Sequence, residues 1–175
     1  MSTSETISAA INFAALVFLG AQVMLARRAL GETAKAQQQE WERQRKKASI
    51  EASVSTARYR EALKAVLPWN DRDPEEMAAF LKEVNGDHAK LYPVREYLNH
   101  LVDIAVGVKQ GVFDLDTISM LEGGRIIDVV ASYAPYIESV RQEVHRPRIY
   151  EDIEDLAELI KVHRHESILL SQSRS

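Results

Sequence analysis

Residues 93–111, PVREYLNHLVDIAVGVKQG, are the stretch that decides the fold. Their apolar residues recur every three or four positions, which places them on one broad face of a helix. This face consists of Val94, Tyr97, Leu98, Leu101, Val102, Ala105 and Val108. Proline suits the first turn of a helix and glycine suits its end. The stretch therefore predicts the central helix of a bundle, which begins at Pro93 and ends at Gly111.

The residues that follow predict two further helical regions. We expect Asp114 or Asp116 to cap a helix that reaches Val144, with a kink or a division at Pro135. Arg146–Pro147–Arg148 then marks a boundary. The last helix has one apolar face, formed by Ile149, Ile153, Leu156, Ala157 and Ile160.

The residues on the other side of the central stretch also predict helices. Asp73–Pro74 supplies a capping carboxylate and a first-turn proline for a short helix that runs to about Asn85 and stops at Gly86. Residues 27–67 contain no proline and predict one long helix. Its first half is polar on nearly every face and predicts a stalk, and its second half carries an apolar stripe of Ala48, Ala52, Tyr59, Leu63 and Val66 that predicts contact with the core. Since alternating strand patterns are missing, the fold class is all-α.

Residues 7–26, ISAAINFAALVFLGAQVMLA, carry no charge and are mostly apolar. A helix of this length is about 30 Å long, which matches the hydrocarbon core of a bilayer. The stretch therefore predicts one N-terminal transmembrane helix. Basic residues flank it on the C-terminal side, at Arg27, Arg28 and Lys35, and such a bias keeps a flank cytoplasmic. We expect a bacterial inner (plasma) membrane protein with its N-terminus outside and its main domain in the cytoplasm.

These patterns divide the chain into five parts. Residues 1–6 are a short external N-terminus and 7–26 the transmembrane helix. Residues 27–67 form the long juxtamembrane helix, which is a stalk and then part of the core. A helical bundle domain follows at 68–165, and 166–175 are a flexible tail.

Two sets of residues are candidates for contacts with lipid or with another chain. Ser8, Asn12, Ala15, Leu19 and Gln22 share one face of the apolar segment, where amides and small residues favour packing of one membrane helix on another. The second set, at the stalk, consists of Trp41, Arg43, Arg45, Lys46 and Lys47. Its cations suit anionic headgroups, and the alternative is a solvated charged helix. Heptad-like spacing at the stalk leaves parallel coiled-coil dimerisation open.

The charge distribution limits the kinds of partner that we expect. The net charge is −4, but residues 1–70 hold 10 Lys/Arg against 6 Asp/Glu, whereas residues 71–175 hold 12 against 20. An acidic domain lacks the basic surface that replaces counterions on phosphates, so no nucleic acid is expected as a partner. The chain has no cysteine, which excludes disulfides and thiolate metal sites. We expect no cofactor and no metal.

A family resemblance follows from three stretches, LNHLVDIAVGVKQGVFD from Leu98, YAPYIESVR from Tyr133 and IYEDIEDLAELI from Ile149. The chain resembles the bacterial family known only as domain of unknown function 4760. Asn99, Gly107, Gly111, Asp114 and Arg141 stand at matching positions. The resemblance implies an N-terminal span, a long helix and a helical domain, and it implies no reaction.

Arg95 and His100 are the one pair with a catalytic interpretation. An arginine followed by four residues and a histidine resembles the pattern of ribonucleases with the higher-eukaryote-and-prokaryote nucleotide-binding helical fold, in which the pair would activate a ribose hydroxyl and stabilise phosphorane charge. The alternative is that Arg95 pairs with a nearby acid and His100 packs or faces solvent. We expect no catalytic residue.

The sequence favours a protein that acts by contact, as an interaction module, scaffold or accessory subunit at the membrane. Its partners would be the lipid bilayer and either another protein or a second copy through the membrane and stalk helices. A membrane-tethered ribonuclease-like defence effector that uses Arg95 and His100 is the alternative. A third hypothesis is a homo-oligomer that perturbs the membrane.

Overall fold

The computed structural model describes residues 3–67, 73–84 and 87–172, with the backbone alone at 3–17, 88 and 171. Regular structure within these ranges is entirely helical, so the all-α prediction is confirmed. The helices are α1 (Thr3–Leu63), α2 (Pro74–Glu83), α3 (His88–Lys109), α4 (Leu115–Leu121), α5 (Gly123–Val144) and α6 (Glu151–Gln172). Two compact units divide the chain, one of residues 1–43 and one of residues 44–175.

The described part of the first unit is the N-terminal portion of α1. Its side chains are exposed from residue 18 onward, and pairs such as Arg28 and Glu32, 3.3 Å apart, link successive turns. Within the described residues, the structure has no helix whose length and apolar character suffice to cross a bilayer. Of the predicted contact face, Leu19 and Gln22 are exposed, while the side chains of Ser8, Asn12 and Ala15 lie outside the described residues.

The second unit is built around α3, as the sequence predicts. Val94, Tyr97, Leu98, Leu101 and Ala105 are buried. Helix α3 packs on α6, α6 packs on α5, and α5 packs on α2. The last helix contributes Ile153, Leu156, Ala157 and Ile160 to the core as expected. Ile149 lies in the turn before α6 and packs against the core from there.

The start of α2 is confirmed and that of α3 is not. The Asp73 carboxylate accepts the Glu75 N–H at 2.9 Å, with Pro74 in the first turn of α2. Helix α3 begins at His88, because the Asp87 carboxylate accepts the N–H groups of residues 89 and 90 at 3.1 and 3.2 Å. Pro93 thus lies inside α3, beyond its first turn, where it removes one backbone hydrogen bond of the helix. Asn85 and Gly86, the predicted end of α2, lie outside the described residues.

The region predicted as one helix from Asp114 or Asp116 to Val144 is divided at Glu122, while α5 continues through Pro135. Asp114 is the cap of α4, since its carboxylate accepts the Thr117 N–H at 3.0 Å. Close packing explains why residue 123 is glycine. A Cβ there would lie 2.7 Å from an Arg164 nitrogen and 2.9 Å from a methyl group of Ile160, so glycine allows this approach of α5 to α6.

The predicted apolar stripe is confirmed in part. Leu63 lies in the core, and Ala52 and Val66 are half-buried and pack against it, whereas Tyr59 is exposed. Ala48 is half-buried. The other fully buried positions of this segment are Ser49 and Thr56. A helix buries hydroxyl side chains only where their hydrogen bonds are satisfied, and the partners of these two residues define the candidate site.

Candidate functional site

Five polar residues of α1 lie along one face of the second unit. We call them the α1 seam: Arg45, Ser49, Ser53, Thr56 and Arg60. Their spacing of three or four residues places them in a row on the helix. The residues that they meet belong to α3 and to the two ends of α4.

The first part of the α1 seam meets the residues between α3 and α4. Ser49 Oγ donates to the Arg45 carbonyl at 2.8 Å and accepts the Asp114 N–H at 2.7 Å. The Arg45 guanidinium donates to the Phe113 carbonyl at 3.3 Å and lies 3.7 Å from the Asp114 carboxylate. Burial would raise the pKa of Asp114, but hydrogen bonds from Thr117 and the charge of Arg45 hold it below its ordinary value.

The middle of the α1 seam surrounds a buried carboxylate between α4 and α5. Glu122 is only 4 % exposed. Its Oε1 accepts the Ser53 hydroxyl at 2.6 Å, and its Oε2 lies 3.9 Å from an Arg60 nitrogen. The buried charge of Glu122 is therefore paired and hydrogen bonded by α1, which is the condition for burying a carboxylate.

His100 of α3 closes the row. Its Nε2 lies 2.9 Å from Thr56 Oγ1, and its ring stacks on Tyr59 with centroids 4.4 Å apart. Thr56 is fully buried, so the hydroxyl that contacts His100 Nε2 is not accessible to a substrate in this conformation. Burial lowers the pKa of His100, which favours the neutral imidazole while α1 is in place.

Arg95, the other half of the predicted pair, belongs to a different cluster. Its guanidinium hydrogen bonds Tyr136 of α5, and this bond raises the pKa of Arg95. His100 contacts α1 instead. The structure therefore assigns the two residues to separate neighbours and does not bring them together on one reacting group.

Arg95 lines a groove of about 370 Å³ among α2, α3 and α5. Apolar side chains of Leu81, Leu91 and Val140 form much of its wall. Lys82 and Arg95 contribute positive charge, and Glu143 contributes one carboxylate. A groove of this size and lining suits an aliphatic group that carries a negative charge.

The structure places the remaining candidate residues on α1. Arg27 and Lys35 are exposed, and Arg28 pairs with Glu32. At the stalk, Trp41 is exposed, Arg43 pairs with Glu40 at 3.7 Å and Lys47 pairs with Glu51 at 3.9 Å. Lys46 is exposed, whereas Arg45 is half-buried in the α1 seam.

The sequence reasoning missed most of the α1 seam. The pattern in the sequence that indicates the α1 seam is a row of hydroxyl residues at helical spacing, Ser49, Ser53 and Thr56. The sequence reasoning also missed the contact of His163 Nε2 with Asp116, at 2.9 Å. Within the described residues, His, Asp and Glu side chains form no group of three that could hold a metal ion.

Comparison with known proteins gives one match. A family model described as Domain of unknown function (DUF4760) matches residues 3–160, a longer stretch than the three segments that carry the resemblance. No curated protein and no solved structure matches the chain.

Proposed function

Because the chain belongs to the DUF4760 family, whose description assigns no activity, we propose a function from its own residues: it is a membrane-anchored module that binds a protein partner. The observation that carries the binding function is the groove among α2, α3 and α5. The proposed partner segment presents an aliphatic side chain next to a carboxylate. Residues 7–26, of which 7–17 are described by their backbone alone, are the proposed single transmembrane helix, with the N-terminus outside and the helical domain in the cytoplasm.

The support for the groove is its combination of shape and charge. Leu81, Leu91 and Val140 offer apolar contact, and a guanidinium offers several N–H donors to a carboxylate. A guanidinium carries five N–H donors, so a bond to Tyr136 does not use all of those of Arg95. The two cations outnumber the single Glu143 in a half of the chain that is otherwise acidic. An anionic group is therefore attracted here and repelled from the surrounding surface.

Binding is tested with 4-methylpentanoate, which combines an isobutyl group with a carboxylate. Saturation-transfer NMR on the full-length chain should show binding of this acid, and 4-methylpentanamide should bind at least several-fold more weakly. We expect Arg95→Gln to remove the preference for the acid, while Arg58→Gln, at an exposed arginine of α1, leaves it unchanged. Equal binding of acid and amide by the wild-type chain would contradict the proposal.

The support for the anchor is the exposure of large apolar side chains on a helix. Phe18, Met24 and Leu25 are exposed on α1, within the stretch from residue 7 to residue 26 that carries no charge. Apolar side chains that face outward are stable when hydrocarbon surrounds them. The basic residues Arg27, Arg28 and Lys35 support the proposed orientation.

The anchor is tested by fractionation of cells that express the full-length chain. We expect the chain in carbonate-washed membranes, and we expect Phe18→Arg/Leu19→Arg to move it to the supernatant, because each arginine costs about 2.5–3.5 kcal/mol at the centre of an inserted helix. The matched control is Ile50→Arg/Val54→Arg, which places the same charges on exposed apolar positions of α1 in the second unit. Wild-type chain in the supernatant without detergent contradicts the anchor and leaves the groove to its own test.

A further inference from the structure

The contacts of α1 in the second unit differ in kind from the rest of the core. In the described chain, the buried apolar cluster takes its members from α2 to α6 and the turn before α6, with Leu63 as the contribution of α1. Residues 44–60 pack the half-buried Ala52 against this cluster, and their fully buried side chains are the polar Ser49 and Thr56. Loss of these contacts therefore exposes hydroxyl groups that water can hydrogen bond.

We propose that residues 44–60 of α1 are a latch, which undocks from the second unit reversibly while α2 to α6 remain folded. The docked state covers Glu122 and His100, and the undocked state opens both to solvent. This device goes beyond the proposed binding function and does not depend on the groove. Openings of this kind take place in proteins at free energies well below that of global unfolding.

The register of the latch is fixed by several bonds at once. Ser49 meets the Asp114 N–H, Ser53 meets Glu122, and Thr56 meets His100. A rotation or a one-residue shift of α1 would break all of these bonds together, since each needs a hydroxyl at one position of the helix. The latch therefore has two distinct states, docked and undocked, and no intermediate register.

One backbone amide reports the state of the latch. The Asp114 N–H donates to Ser49 Oγ, a side chain of α1, and not to a carbonyl within its own helix. Undocking therefore frees this N–H to exchange with solvent. The amide of Leu101, in the middle of α3, provides the reference for opening of the core.

The test is hydrogen exchange by NMR on the full-length chain in detergent micelles. We expect Asp114 to exchange at least about tenfold faster than Leu101 after correction for intrinsic rates, since it opens with the latch. Thr56→Val should raise the exchange rate of the Asp114 amide roughly fivefold, because it removes about one hydrogen bond of the docked state. The matched control is Thr33→Val, because Thr33 donates to the carbonyl four residues before it, as Thr56 does, but lies outside the α1 seam. This control should leave Asp114 unchanged.

A core substitution tests whether the latch opens independently of global unfolding. Ile153→Val removes a methylene from a buried residue of α6. It should raise the exchange rate of the Leu101 amide roughly fivefold, which corresponds to the usual loss of stability for this change. We expect no change at Asp114, because the docked and undocked states both contain the altered core. If Ile153→Val raises the exchange rate of the Asp114 amide as much as that of the Leu101 amide, residues 44–60 undock only when the whole unit unfolds, and the proposal is overturned. Exchange of wild-type Asp114 at the rate of an unstructured amide would also overturn it.

Discussion

Gly107→Ala should lower the free energy of unfolding of the second unit by about 1–3 kcal/mol, the usual cost of forcing an extra methyl group into a packed site. A Cβ at Gly107 would overlap two ring carbons of Phe113. Alanine is otherwise favoured over glycine inside a helix by about 1 kcal/mol, so a net loss of stability would isolate the steric effect. The measurement is urea unfolding of the full-length chain in detergent, followed by the near-ultraviolet circular dichroism of its buried tyrosines.

The backbone of Phe113 cannot shift without the loss of further hydrogen bonds, because both its N–H and its carbonyl are bonded. Its N–H donates to the Gly107 carbonyl at 3.0 Å, and its carbonyl accepts the Arg45 guanidinium at 3.3 Å. A shift of Phe113 would also displace Asp114, which caps α4 and bonds Ser49. Gly107→Ala should therefore weaken the α1 seam as well as the turn after α3.

Two variants control this prediction. Gly31→Ala adds a methyl group to α1 where nothing lies within 4 Å, so it should leave unfolding of the second unit unchanged. Phe113→Leu combined with Gly107→Ala should recover part of the stability, since the smaller side chain leaves room for the methyl group. Wild-type stability of Gly107→Ala alone would show that the ring turns away from the added methyl group at no cost, and it would contradict the prediction.

Helix periodicity was sufficient to predict the central helix and the core face of the last one. The apolar residues of α3 and α6 recur at helical spacing, and within these helices all of those predicted are buried except Val102 and Val108, which are half-buried and pack against the core. Helix ends were predicted where one local signal was strong, as with Asp73 before Pro74. At α3, the prediction placed the start at Pro93, but the helix begins one residue after Asp87, because the Asp87 carboxylate accepts the first free N–H groups.

The candidate site depends on contacts that sequence spacing does not contain. The glycine at residue 123 is required by its close approach to Ile160 and Arg164, which lie far along the chain. Ser49 and Thr56 are buried because their partners come from residues 114 and 100. A hydroxyl on a helix is equally compatible with solvent until such a partner is known, so the spacing of these residues alone does not predict their burial.

The connection between α5 and α6 depends on one arginine near the end of α5. Arg141 Nε donates to the Ile149 carbonyl at 3.0 Å, and its Nη2 donates to the Glu154 carboxylate at 2.6 Å. The residues that it spans include His145 and Tyr150, both with positive φ, at 53° and 64°. Non-glycine residues pay a conformational cost in this region, so the connection needs compensating contacts.

Arg141→Met should therefore lower the free energy of unfolding of the second unit by about 1.5–3 kcal/mol, the range for hydrogen bonds to charged groups. Methionine keeps the apolar stem but leaves the Ile149 carbonyl and the Glu154 carboxylate without their donor. Urea unfolding of the full-length chain measures the loss. The matched control is Arg148→Met, which removes an arginine that pairs with Glu151 while 83 % of its side chain is exposed. Exposed pairs contribute about 0–1 kcal/mol, so equal losses in the two variants would show that the bond to Ile149 contributes nothing beyond surface charge.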